Sequence, residues 1–547
     1  MGKILLFLIS IFALCSSDLC AQEHRCLSHD LHKWKLLNDA DYRDRYHSIT
    51  DGFFANQRNL VVLTDTTVLI PVVVHVIRFN GTTSVTEEHI QSQIDVLNED
   101  YALLNSTSLN IPAIWQPLSK DSKIRFTLAQ RDPDGNPTNG ITWNDGKKAA
   151  YDLFDPSIYS TDSGGHDAWP RSAYLNIWVC PLNGNALGYA NYPGSATSND
   201  GIVINPRAFG RYGSAQSPYN LGRTATHEVG HWLSLIHIWG DDPSSSPCSG
   251  KDFTNQEVNL GWDDTPNQAQ PTFRCKSFPA TDECTMTNPG FMYMNYMDYT
   301  DDKCMMFFTN GQIRKMRNVL DGIRDSIKQS NGAILPQPYL NDLAIDSVLS
   351  PVRSLENRCL QPEIRIRNNG SNIVSSFDII YGLIGGFRKT YTWTGNLNPG
   401  STTIITLPAI GTNSGHQVIE FRLKTLDENS VNNYRSAGFS NTVLTNDNCI
   451  ESAFIAYPNP AIGTNYICVK ANASESQEAT VQLVNNLGQI LFDDKRTVNP
   501  GDAIQLNMEG MSGGIYFLNV TGDRYNESAK LIYIPAETPA AGVPNCN

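Results

Sequence analysis

Residues 227 to 237 read His-Glu-Val-Gly-His-Trp-Leu-Ser-Leu-Ile-His. Histidines four apart on a helix stack on one face, so His227 and His231 can share one metal ion. A short bend after Leu233 would bring His237 round as a third nitrogen. Three neutral imidazoles suit Zn²⁺ and leave a fourth position open for water, the arrangement of catalytic rather than structural zinc. Glu228 flanks the first ligand, where its carboxylate can take a proton from that water. The ion would supply Lewis acidity and the carboxylate the base, so the expected chemistry is hydrolysis. The competing reading, an apolar helix with incidental histidines, must account for three of them at this spacing.

Upstream elements have to hold that helix. Leu69 to Ile77 is a β-branched run that reads as a buried strand, with His75 a core histidine rather than a ligand. Ser84-Val85-Thr86-Glu87 has the pattern of a capping box, and Ile90, Ile94, Leu97 and Tyr101 follow at helical spacing. Ile124–Ala129, Tyr174–Val179 and Gly201–Ile204 read as further strands. A strand-helix-strand-strand order running into the zinc helix predicts an α/β (α+β) domain with a mixed sheet.

The chain has 547 residues, 40% of them hydrophobic, which implies several packed domains. Its formal charge of −14 argues against nucleic-acid binding. Lys3, the apolar run Ile4–Leu14 and a small-residue exit near Ala21 predict a secretory signal over 1–21, and no later segment is apolar enough for a transmembrane anchor. An exported chain keeps its cysteines in an oxidising compartment, where disulfides are expected. The polar stretch 22–62 reads as an irregular pro-region containing Arg25-Cys26. A thiolate from Cys26 could fill the open zinc position in a precursor; an ordinary disulfide partner or an idle residue is the other reading.

With these residues in place, the motif resembles the metzincin signature HExxHxxGxxH in the form typical of pappalysin-like zinc metallopeptidases. Ser234 stands where that family has glycine, a position that needs positive φ and costs a serine about 1–2 kcal/mol. Asn295-Tyr296-Met297-Asp298-Tyr299 resembles the family's Met-turn. The resemblance implies Met297 as an apolar floor beneath the zinc and Tyr299 as a helper for the oxyanion. Leu187–Gly194 (LGYANYPG) resembles the family's edge that pairs with extended substrate, a plain surface loop being the alternative. Past His237, clustered carboxylates could hold Ca²⁺, with Asp252, Glu257 and Asp263 as candidate ligands, or could be only a solvated acidic loop. The resemblance also implies disulfides Cys248–Cys275 and Cys284–Cys304, which spacing alone does not fix. It covers about 69–328, within a domain placed at 63–330.

Short alternating strands over 337–449 predict an Ig-like β-sandwich, a spacer or weak adhesion module, with Cys359 and Cys449 able to bridge it. A last β-rich unit at 454–535 carries Pro458-Asn459-Pro460, Leu487-Gly488-Gln489, Gly514-Ile515-Tyr516 and Lys530 in order. It resembles the C-terminal sorting domain of the type IX secretion route of Gram-negative bacteria, and a tail of 536–547 follows it. The expectation is therefore a secreted or surface-released zinc endopeptidase with protein or peptide substrates and the type IX machinery as partner. Two alternatives stay open: a binding protein whose peptidase domain has decayed, suggested by Ser234, and a zinc hydrolase of non-peptide bonds.

Overall fold

The computed structural model describes residues 26–55 and 66–535 with short interruptions, the longest at 241–247 and 442–453, together with Cys546. The signal segment 1–21, Cys449 and most of the tail lie outside the described residues.

The catalytic part is built on one six-stranded sheet. Its strands are β1 (Val68–Phe79), β2 (Ile124–Leu128), β3 (Ile141–Gly146), β4 (Leu175–Val179), β5 (Gly188–Ala190) and β6 (Gly201–Ile204). The order is β2-β1-β4-β6-β5, and β3 extends the β2 side of β1. Every pairing is parallel except β5 against β6, where Tyr189 faces Val203. The β1 sequence VLIPVVVHVIRF is buried on both faces, which explains its unbroken apolar run rather than an alternation. The sheet is mixed, as expected, with its one antiparallel strand at the cleft edge.

Helix α3 (Glu87–Tyr101) packs Ile90, Ile94, Leu97 and Tyr101 into the core shared with β1, β2 and β4. Each such side chain contributes about 1.5–3 kcal/mol by leaving water. Its capping box differs from the expected one: Thr86 accepts from the His89 amide, and the His89 ring returns the contact. The box starts two residues later than Ser84 because β1 runs on to Phe79, and a turn follows. His75 is the core histidine expected: it is buried, bonds Thr142 Oγ1 at 2.9 Å and Asn176 Oδ1 at 3.1 Å, and stacks on His166.

Where it is described, the stretch expected to be irregular is helical. It forms α1 (Ser28–Asn38) and α2 (Ala40–Ala55), which have little amphipathic pattern of their own. Tertiary contact supplies what propensity lacks. Leu31 and Lys35, one turn apart, are buried, and Lys35 Nζ donates to Asn191 Oδ1 at 2.6 Å.

Among the described residues, the C-terminal half is built of strands apart from one 3-10 turn at Ser430–Asn433. Leu343–Ser350, Glu363–Asn368 and Thr402–Thr406 make one face of a sandwich. Val374–Leu383, Phe387–Leu397, Gly415–Lys424 and Tyr434–Asn441 make the other, over a core that includes Ile345, Ile366, Ile379 and Phe421. A second core, with Val469, Val481, Leu518 and Leu531, fills the last unit. The two units share a sheet, since Phe387 pairs with Ala529 and Arg388 with Ser528. Cys359 is disulfide-bonded. Cys546, which sequence left unpaired, is bound to Cys468 of the last unit.

Candidate active site

Helix α4 (Arg223–Trp232) is buried along its whole length. Val229 and Trp232 fill the core, so the polar residues need partners inside the protein. Thr226 donates to Asp100 Oδ2 at 2.7 Å, Arg223 reaches the Met305 carbonyl at 2.8 Å, and Trp232 Nε1 donates to Asp200 at 2.7 Å. Arg324 holds the same Asp200 at 2.8 Å and lies over the Trp232 ring. The helix is thereby fixed in both rotation and height.

It ends in a Schellman turn. Leu235 N–H donates to Gly230 O at 2.9 Å and Ser234 N–H to His231 O at 2.8 Å. Ser234 takes φ = 73°, the left-handed conformation expected of the family's glycine at that position. This turn carries His237 back to the other two histidines.

The three Nε2 atoms lie 3.0, 3.1 and 3.3 Å apart. Nδ1 of His227 is 2.7 Å from the Tyr296 carbonyl, and Nδ1 of His231 is 2.8 Å from that of Leu235. Protons committed to those carbonyls leave the Nε2 lone pairs of both rings facing the centre. Tetrahedral zinc at 2.0–2.1 Å from each nitrogen sets such edges at about 3.3 Å, so the three rings fit Zn²⁺. Burial and the neighbouring imidazoles hold His231 well below the usual histidine range, in its neutral, ligating form. Among the described residues, Cys26, His227, His231 and His237 are the one set of three or more possible metal-binding side chains.

Glu228 is fully buried beside this set, and burial pushes its carboxyl up to about 7. One oxygen, Oε1, has no hydrogen-bond partner. Cys26 Sγ is 3.4 Å from the other. Burial and then the Glu228 charge push the Cys26 thiol well up, and a bound divalent ion would act against both. The Tyr299 ring packs against His237, 4.9 Å between centroids, and its hydroxyl donates to the Cys26 carbonyl at 3.1 Å. Met297 is fully buried, and a Cβ on Gly230 would stand only 2.6 Å from its sulfur. Only glycine lets the Met-turn come so close under the helix.

One expectation is corrected. The disulfides are Cys248–Cys284 and Cys275–Cys304, with Cα separations of 5.1 and 5.7 Å. The loop between His237 and the Met-turn has no periodicity to fix its path, so the sequence did not reveal which cysteines meet. Around the candidate calcium residues, Lys315 Nζ lies 3.1 Å from Glu257, where it supplies positive charge, and 3.4 Å from the Asp252 carbonyl. Asp252 accepts from Thr265, and Asp263 is exposed. Sequence reasoning also passed over Ser28 and Tyr192. Ser28 Oγ donates to Glu228 Oε2 at 2.6 Å, and the Tyr192 hydroxyl lies 2.8 Å from His231 Nδ1. Tyr192 falls within the LGYANYPG segment, but nothing in the sequence marked Ser28 beyond its place two residues after Cys26.

Comparisons with known proteins identify the family. A family model described as pregnancy-associated plasma protein-A, a peptidase family, matches residues 159–321, and a secretion system C-terminal sorting domain matches 455–534. An extracellular metalloprotease of Arthroderma gypseum is 31% identical over 44% of this chain and 69% of its own length. One from Colletotrichum graminicola is 30% identical over 50% of this chain and 84% of its own length. The structure of a Tannerella forsythia promirolysin mutant is 40% identical, covers 57% of this chain and all of its own, and superposes with a TM-score of 0.50. The chain belongs to the pappalysin family of metalloendopeptidases and carries a type IX sorting domain for secretion.

Proposed function

We propose that the chain is the latent precursor of a secreted zinc endopeptidase in which His227, His231 and His237 hold the ion and Glu228 is the general base. The observation that carries this reading is the convergence of three Nε2 atoms within 3.3 Å, with a buried carboxylate on the residue after His227. When bound, the zinc supplies Lewis acidity and makes water acidic enough to lose a proton near neutral pH.

The chain's own residues do the rest. An extended peptide pairs with the β5 edge, taking the Gly188 carbonyl and the Ala190 N–H. Glu228 takes the proton of the attacking water and returns it to the departing amine. The Tyr299 hydroxyl, once released from the Cys26 carbonyl, donates to the oxygen on which charge develops. Tyr296 O and Leu235 O orient the first two imidazoles. In the precursor Cys26 directs its sulfur into the same histidine set, where a thiolate would hold the position that water needs.

The test is a proteome-derived peptide library incubated with processed enzyme, with metal content measured on the same sample. Internal cleavage with about one zinc per chain is the expected result. Cleavage confined to non-peptide bonds, or cleavage by protein lacking the metal, overturns it.

A further inference from the structure

The contacts of Ser28 go beyond blocking a metal position, and the inference drawn from them rests on the catalytic reading above. Ser28 is fully buried. Its hydroxyl proton goes to Glu228 Oε2 at 2.6 Å, and its oxygen accepts the Ala190 N–H at 2.7 Å. A hydroxyl has one proton to give and lone pairs to receive with, so both roles are filled together. The neighbouring residues complete the docking. Leu27 N–H donates to Gly188 O at 3.2 Å, and Cys26 pairs with Gly188 in parallel. The edge atoms that an extended substrate would use are therefore taken.

We propose that Ser28 is a second latch, independent of Cys26, that ties the general base to the substrate-binding edge. Without a metal, the sulfur of Cys26 has only a long thiol contact, 3.4 Å, to that same Glu228 oxygen. The hydroxyl bridge needs no metal, because both of its partners belong to the protein. Alanine at this position would leave the Glu228 oxygen and the Ala190 amide without the hydroxyl in a dry pocket, and threonine would add a methyl where Ser28 has no exposed surface. Latency is thus divided: Cys26 acts on the ion's open position, Ser28 on the carboxylate and the edge strand.

The test is a double-mutant cycle in the full-length, zinc-stripped precursor, with Ser28→Ala, Glu228→Ala and the pair. The readout is the rate at which trypsin removes the segment ahead of β1, with circular dichroism to show that each variant is folded. Ser28→Ala should speed removal about tenfold in the Glu228 background, as loss of a charge-assisted hydrogen bond implies. In the Glu228→Ala background the same change should act no more than about threefold, through Ala190 alone. Equal acceleration in both backgrounds overturns the latch. Should Ser28→Ala misfold, Ser28→Gly serves in its place. A second arm uses zinc-loaded precursors and a quenched peptide, read before any self-processing. Cys26→Ala alone should retain most of its latency, and adding Ser28→Ala should raise its activity about tenfold. A Cys26→Ala precursor as active as processed enzyme overturns the proposal. If instead no variant and no processed enzyme cleaves the peptide, the catalytic reading fails, while the proteolysis cycle still reports on the latch.

Discussion

Replacing Ser234 by glycine tests the zinc turn where this chain departs from its family. A residue with a Cβ at φ = 73° pays about 1–2 kcal/mol relative to an ordinary conformation. Glycine removes that cost but gives back about 0.5–1 kcal/mol through the greater freedom of its unfolded chain. The net expectation for Ser234→Gly is stabilisation of about 0.5–1 kcal/mol, or roughly 2–3 °C in Tm for a domain of this size. Ser234→Ala keeps the Cβ and so should gain nothing. Ser234→Val, β-branched, should lose more than either. The assay is urea unfolding of the zinc-free precursor, followed by tryptophan fluorescence. Zinc affinity, measured by competition with a chromogenic chelator, should stay within about threefold, because the turn is already formed by backbone bonds between Gly230, His231, Ser234 and Leu235. If alanine stabilises as much as glycine, or glycine destabilises, the strain argument is wrong.

Glu228→Ala should retain zinc while kcat/KM falls by about 10²–10⁴ or more; retained cleavage at normal metal content would remove the general base from the mechanism. Tyr299→Phe should lower kcat by about 10² with little change in KM, whereas a rise in KM alone would assign it to binding. Chelation should abolish cleavage of a protein substrate, and zinc, but not magnesium, should restore it. His75 gives a pH prediction: burial holds its imidazole down to about 3. As pH falls below about 6.5 the unfolded chain takes the proton and the folded one does not, so stability drops about 1.4 kcal/mol per unit until pH nears 3. His75→Gln, able to keep bonds to Thr142 and Asn176, should lose that increment of slope between pH 6 and 4.5, and an unchanged slope would refute it.

The zinc motif was legible because its spacing is local: a helix repeat places His227 and His231, and one turn places His237. The β1 run and the α3 face were legible for the same reason, each having a period of its own. The pairing of Cys248 with Cys284 was not, because it depends on the path of an aperiodic loop. The helices Ser28–Asn38 and Ala40–Ala55 were hidden too, since packing on the catalytic part rather than their own pattern sustains them. Ser28 was invisible because its meaning lies 200 residues away, at Glu228. Lys315, which answers Glu257 from the helix Asn310–Asp321, likewise had no mark in the sequence to set it against a calcium ion.

The seam between sandwich and sorting unit bears on what leaves the cell. Among the described residues Phe387 and Arg388 make the strand pairs across it, and Phe387 also packs into the terminal unit's core, so removal of that unit would bare two residues of backbone and one aromatic ring. Arg388 is ion-paired with Glu420, and Lys389, which follows it, puts a cation beside the bared strand border, which discourages a second molecule from adding on. A chain cut before the terminal unit should therefore stay monodisperse at concentrations where a long greasy border would seed fibrils.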